Sequence, residues 1–273
     1  MDLNLSGRAP QAERVAVVAF PKTGTNLVAK LMAVLGYKVI WQGIRESYQE
    51  LWDRLRDPSD PESNPKSSFL QPERLFRVLE SYPPYVCLML HKLPIGIHLE
   101  SWCNSGTPTL ILNYRDPRDV ILSMVNYLLL KANDHYTELP WNMIHAEVLG
   151  AIPDMDGRIT YAIKHMPHPI DQFAQHVWML HHPRVLKLSY EQLVGEQGGG
   201  SNSQQDACVR GVMEHLSIRG DRSKVCAKLY DRSARTFHQG KLGAWEAAFS
   251  DAHIKAFTYR DIYMLDTYGY YQR

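Results

Sequence analysis

The feature that most restricts the fold of this chain is an apolar run that ends in a Lys-Thr-Gly-Thr turn and continues as a helical pattern: "VAVVAFPKTGTNLVAKLMAVLG", Val15 to Gly36. The run has no polar alternation, so it fits a strand covered on both faces, as strands of parallel sheets are. After the turn, Leu27, Leu31, Val34 and Leu35 fall at i, i+4, i+7 and i+8, which predicts a helix with one apolar stripe. A lysine between two such elements is a poor way to end a buried strand unless something anionic sits in the turn. Pro21 stiffens the exit from the strand, Gly24 lets backbone approach a ligand, and Thr23, Thr25 and Asn26 supply polar side chains. The first N–H groups of the helix and its positive dipole end face the same space, and Lys22 adds a full charge. Two readings follow: a phosphate or sulfate cradle, or a strand-helix turn that merely contains a lysine.

Three further apolar runs read as buried strands: "YVCLMLH" (Tyr85 to His91), "TLILNY" (Thr109 to Tyr114) and "RVLKLSY" (Arg184 to Tyr190). The second of these leads into "DPRDVILSMVNYLLL", where Asp116 suits an N-cap, Pro117 the first helical position and Asp119 the first turn. Strands alternating with helices predict an α/β fold: a single domain with a mostly parallel central sheet flanked by helices and ligands at the carboxyl ends of the strands. Residues 1–13 read as a flexible N-terminus and residues 195–205, "GEQGGGSNSQQ", as a surface loop. Asp57 to Pro72 and Asn133 to Pro169, without clear periodicity, read as loops or irregular helices walling a substrate site.

A formal net charge of +1 excludes a broad basic field, so no nucleic-acid partner is expected and cations must act locally. No stretch approaches the ~20 apolar residues of a membrane span, and "MDLNLSGRAPQAER" lacks the features of a secretory signal. The four cysteines have no metal-ligand spacing, so no metal is expected and a reducing, cytoplasmic location is the simplest reading.

In "YRDPRDVILSMVNY", Arg115 ends a strand and Ser123 lies two turns into the next helix. A guanidinium fork with a hydroxyl suits a dianionic phosphate. The alternative is an Arg115 that pairs with Asp119 or Asp116 and a Ser123 that only packs. The nucleoside-triphosphate pattern GxxxxGK[ST] is absent, because the lysine precedes the glycine.

Taken together these segments resemble the cytosolic-type sulfotransferases. "FPKTGTN" is similar to their 5′-phosphosulfate loop PKSGTTW, and "YRDPRDVILSMVNY" to their 3′-phosphate motif RNPKDVxxSxxx. "SYEQL" is similar to their YEDL segment, and "FHQGKLGAWEAAFS" to their RKGxxGDWxxxFT signature. The four motifs occur in the family's order from residue 20 to residue 250. The resemblance implies a P-loop-like sulfotransferase fold and 3′-phosphoadenosine 5′-phosphosulfate as donor. It implies that Lys22, Thr23, Gly24, Thr25 and Asn26 hold the phosphosulfate. Arg115 and Ser123, with His238, Gln239 and Gly240, would hold the 3′-phosphate. Tyr190 would reach the adenine or else pack on the core.

The chain departs from the family at Leu27, where many relatives carry a tryptophan that stacks on adenine, and at His238-Gln239, where they carry Arg-Lys. Arg235 and Lys241 are nearby cations that could compensate. Relatives often draw the general base from a KTHLP segment; this chain has "MLHKLPIG". If Pro94 fixes the register, Lys92 takes the family's histidine position, and a one-residue bulge would restore His91. The expected base is His91, with Lys92 as an alternative base or sulfonate ligand. Glu46 is a third candidate, at the spacing of the glutamate base in glycosaminoglycan-type relatives.

The function implied is transfer of a sulfuryl group to a hydroxyl, less readily an amine, of a small acceptor. An ATP-dependent P-loop-like kinase and a non-catalytic nucleotide-binding module are the competing readings. Tyr48, Trp52, Tyr82, Tyr85, Tyr127, Tyr136, Trp141 and Trp178 lie in segments that could wall an apolar acceptor pocket. A monomer or a homodimer is compatible with the sequence.

Overall fold

The strand β1 (Arg14–Ala19) is buried along nearly its whole length and sends alternate side chains to two separate hydrophobic layers. Ala16, Val18 and Phe20 enter one layer, while Val15, Val17 and Ala19 enter the other. That is why the run carries no polar alternation: both faces are covered. The structure is a computed structural model that describes residues 13–41, 82–91, 108–131, 140–166, 170–229 and 242–271. The elements after β1 are α1 (Thr25–Val34), β2 (Lys38–Trp41), β3 (Val86–Leu90), β4 (Thr109–Tyr114) and α2 (Pro117–Lys131). The helices α3 (Pro140–Ala151), α4 (Met155–His165), α5 (Ile170–Gln175) and α6 (Val177–His181) precede β5 (Leu186–Ser189). The chain continues through α7 (Tyr190–Leu193), α8 (Asn202–His215), α9 (Arg222–Leu229), α10 (Ala244–Ala248) and α11 (Asp251–Thr267).

The five strands form one sheet in the order β2-β3-β1-β4-β5, and every pairing is parallel. The fold is a single α/β domain. Val18 stands opposite Leu90 on one side and Leu112 on the other. The connection from β1 runs one way along the sheet and that from β4 the other, so their carboxyl ends form the topological switch point where such sheets bind ligands. Helices α1, α8 and α9 cover one face, and α2 through α6 with α10 and α11 cover the other. Each fully buried valine or leucine between these layers contributes about 1.5–3 kcal/mol.

Four sequence expectations need correction. The strand β2 was not foreseen; it is a four-residue edge strand whose Lys38 is exposed, so its apolar run is too short to stand out. In α1 the buried stripe is Val28, Leu31, Met32 and Leu35, whereas Leu27 and Val34 are only half-buried at its margins. Residues 140–151 and 155–165, expected as irregular wall, are regular helices. Helix α3 hides its period because it exposes Met143 and Ile144 while burying His145. The loop expected at 195–205 is a 3-10 turn, Glu196–Gly198, followed by the first turn of α8. Ser201 caps that helix through Gln204 N, and Gln205 is buried, donating to the Leu193 carbonyl at 2.9 Å. Among the described residues no helix is long and apolar enough to cross a membrane, and no His, Cys, Asp and Glu cluster could hold a metal.

Candidate anion site at the sheet edge

The turn after β1 is held by its own backbone. Thr23 N donates to the Phe20 carbonyl at 3.2 Å, and Leu27 N and Val28 N both reach the Gly24 carbonyl. Lys22 and Gly24 are both left-handed, at φ 70° and 86°. Glycine adopts this conformation freely, but for lysine it costs about 1–2 kcal/mol, and such strain concentrates at ligand sites. Helix α1 starts at Thr25, so the N–H groups of its first turn open on the sheet's carboxyl edge.

Lys22 is half-buried, and its Nζ lies 4.2 Å from the centre of the Tyr127 ring on α2. Burial and, secondarily, the Arg115 charge lower its pKa to about 8. An amine in that state gains more than an exposed lysine from an anion that neutralises both effects. Thr23 does not face this space: it is fully buried, and its hydroxyl donates to the Phe20 carbonyl at 2.7 Å, 3.1 Å from Asn113 Oδ1. The hydroxyl thus has a role inside the turn. Thr25 is buried, with its hydroxyl 3.3 Å from the Phe20 carbonyl, and Asn26 is exposed.

Arg115 leaves the end of β4 and is buried. Its Nη2 donates to Asp119 Oδ2 at 3.1 Å, the pairing that the sequence left open, and its guanidinium lies 4.4 Å from the centre of the Tyr190 ring. Asp119 also accepts from Gly243 N at 3.0 Å and Trp245 N at 3.1 Å. One carboxylate therefore ties the "GAW" segment to the start of α2. Tyr190 is buried between Arg115 and Gly24, which is the packing that the sequence offered as one of its two roles. Burial, the largest cause, raises its pKa. Ser123 is half-buried one helical turn before Tyr127.

The remaining charges of the "RDPRD" segment are structural. Asp116 caps α2 through Arg118 N at 2.9 Å and holds the Arg118 side chain by two contacts, at 3.0 and 2.6 Å. That guanidinium lies 3.7 Å from the Trp245 ring centre and donates to the Tyr270 carbonyl. Glu191, from "SYEQL", accepts from Asp116 N at 2.9 Å and from the Tyr270 hydroxyl at 2.8 Å.

His91 follows β3 directly, and its Nδ1 lies 3.0 Å from the Ala19 carbonyl at the end of β1. A carbonyl can only accept, so Nδ1 carries the proton and Nε2 presents a lone pair. The residue is exposed as a whole, yet desolvation by the surrounding protein lowers its pKa, partly opposed by the Ala19 bond. The strand ends at Leu90, so strand alternation no longer dictates the direction of His91.

Lys92, Glu46, His238, Gln239 and Gly240 lie outside the described residues, as do Tyr48, Trp52 and Tyr136. Tyr82 and Tyr85 are corrected as wall candidates: they precede β3, at the amino edge of the sheet, where Tyr82 is buried and Tyr85 bonds Glu13 and Lys38 backbone. His176 is a core histidine, with Nδ1 2.7 Å from the Gln172 carbonyl and its ring against Phe20. Asn113 was missed. It is fully buried, close to the Thr23 hydroxyl, and donates to the Leu188 carbonyl at 3.3 Å, tying the turn to β5. Its signal was the one amide inside the apolar run "TLILNY".

No protein-family model matches this sequence, and no curated protein does. Among solved structures the chain is similar to mouse sulfotransferase SULT7A1 complexed with PAP, at a TM-score of 0.58 and 14% identity over 93% of this chain and 85% of that one. Retinol dehydratase in complex with retinol and PAP is similar at a TM-score of 0.49 and 16% identity, over 93% of this chain and 81% of that one. The likeness to the mouse protein shows that the chain has the sulfotransferase fold.

Proposed function

We propose that the chain is a sulfotransferase that uses 3′-phosphoadenosine 5′-phosphosulfate and transfers its sulfuryl group to a hydroxyl of a small acceptor. The observation that carries this reading is the junction of Lys22, Gly24, Tyr190 and Arg115. The ring that packs on the Gly24 turn also lies beside the Arg115 guanidinium, so two cationic groups are held relative to each other on one sheet edge. A donor with phosphates at both its 5′ and 3′ positions has a use for both. The residues fit such a group: a desolvated ammonium, a helix N-terminus and a buried guanidinium fork.

In this reading the first-turn N–H groups of α1 and Lys22 bind the phosphosulfate, while Arg115 and Ser123 bind the 3′-phosphate. Asp119 orients Arg115 through their ion pair. The acceptor oxygen forms a bond to sulfur as the bond from sulfur to the 5′-phosphate oxygen breaks. His91 Nε2 takes the acceptor's proton, its tautomer fixed by the Ala19 carbonyl. Lys22 and the helix dipole stabilise the negative charge left on the phosphate. Tyr127, facing the same space as Lys22, gives the acceptor an aromatic surface.

Calorimetric titration with 3′-phosphoadenosine 5′-phosphate (PAP), beside adenosine 5′-phosphate and ATP, tests the reading. The expected result is binding that needs the 3′-phosphate and weakens on the order of tenfold or more in Lys22→Ala and Arg115→Ala. Preference for ATP, or binding of none of the three, sinks it.

A further inference from the structure

We propose that Tyr127 is a positioning residue for Lys22: its ring is the seat on which the loop ammonium is held, over α2, before an anion arrives. The inference rests on the sulfotransferase reading for its purpose, but the seat itself is a feature of the free protein. Lys22 leaves the turn from a left-handed backbone, which directs its side chain out of the path a regular strand exit would give. Its Nζ then stands 4.2 Å above the Tyr127 ring centre, within the distance at which an ammonium is attracted to an aromatic face. The opposing influences are burial and the Arg115 charge at the end of β4. Arg115 is itself held by Asp119 on α2 and by Tyr190 on α7, so it cannot swing away without breaking that arrangement.

The seat answers a specific difficulty. A flexible amine pushed by a neighbouring guanidinium and stripped of water holds its proton less firmly and is favoured to turn outward to solvent. A quadrupole stabilises the charged form without supplying a carboxylate, which would have to be displaced by an incoming anion. Tyr127 is half-buried on α2, one helical turn beyond Ser123, so the same helix face carries the hydroxyl assigned to one phosphate and the ring that holds the lysine assigned to the other. The ring therefore couples the position of Lys22 to α2 and not only to its own turn.

The test is titration of the Lys22 side chain by NMR in the free full-length protein with ¹³C-labelled lysine, the resonance being assigned by its loss in Lys22→Arg. Tyr127→Phe keeps the ring and should leave the midpoint near 8, as in the parent. Tyr127→Leu removes the quadrupole and should lower it by about 0.5–1.5 pH units. Fluorinated phenylalanines at position 127 keep the shape while draining the ring face, and the midpoint should fall stepwise with fluorine count even if the leucine variant folds poorly. Binding of PAP should then weaken roughly two- to fifteenfold at pH 8 in Tyr127→Leu and hardly at pH 6, because only the charged lysine contributes. A midpoint indifferent to both leucine and fluorination overturns the proposal. If the parent protein binds no PAP, the sulfotransferase reading fails by itself, and the NMR midpoints alone decide the seat.

Discussion

Gly24 and Tyr190 meet so closely that a β-carbon at position 24 would stand 2.3 Å from Tyr190 Cδ2. The contact joins the turn after β1 to the residue that opens α7, and the far side of the arrangement is Arg115. A glycine is required twice over, by its φ of 86° and by the tyrosine ring.

Gly24→Ala is therefore expected to destabilise the protein by about 2–5 kcal/mol, about 1–2 from the left-handed backbone and the rest from overpacking. Urea unfolding of Gly24→Ala, Tyr190→Ala and the double variant checks it. The double variant should be less destabilised than the sum of the singles, since the alanine then has room, although the backbone strain stays. Additive losses would mean that the contact is not the cause.

Asp119 is buried and accepts from Arg115, Gly243 and Trp245 together. Asp119→Ala strands a buried guanidinium and two main-chain donors, so a loss of about 3–5 kcal/mol is expected. Asp119→Asn keeps one acceptor oxygen and should lose about half as much. Hydrogen exchange provides a local readout: the Gly243 and Trp245 amides should lose protection first. A stability change under about 1 kcal/mol in the alanine variant would show that Asp119 does not anchor the segment.

How much of this was legible depended on whether a residue's task is local. The turn after β1 and the start of α2 could be read because caps, glycines and prolines act within a few residues. Helix α3 was obscured because His145 is inside, 2.8 Å from the Tyr161 hydroxyl, while Met143 and Ile144 face out, which defeats any apolar periodicity. The inward turn of Thr23 depends on Asn113, ninety residues away in the chain, so nothing near Thr23 announces it. Arg115 could be read as a phosphate ligand or as the partner of Asp119; the structure has the ion pair, and Asp119 in turn binds "GAW", a link of 124 residues. Residue types at spacing name candidates, but the partners that hold Thr23 and Arg115 in place come from contacts distant in the chain.

The thiols make a separate, simple check on the core. Full burial raises the Cys87 pKa, and burial, with Cys226 adding to it, pushes Cys208 up to about 12. At pH 8 a thiol of that pKa holds on the order of a thousandfold less thiolate than a free cysteine. Alkylation at pH 8 followed by peptide mass spectrometry should find both cysteines unmodified in the native protein and both modified in denaturant. Labelling of native Cys87 at the rate of a free thiol would contradict its place on β3, between β1 and β2 and in the buried layer beneath α1.

On the proposed reaction, with His91 as base and Lys22 as donor ligand, the protonation states of the two residues predict a bell-shaped pH profile for kcat/KM. A base must be neutral to accept a proton, and the pKa of His91 is lowered from 6.5, chiefly by desolvation. The rate should therefore rise with pH through a midpoint below 6.5, where the folded histidine loses its proton. Lys22 must keep its proton to bind the donor, and its pKa is about 8 in the free protein, so the rate should fall as pH rises through that value. Since kcat/KM reports the free enzyme, both midpoints are read without the shift that a bound anion imposes. His91→Gln should remove the acid limb and lower the rate about 10²–10⁴-fold, leaving the alkaline limb in place. Persistence of the acid limb in that variant would take the proton-accepting role away from His91 and turn the search to Lys92 and Glu46, the other two candidates read from the sequence.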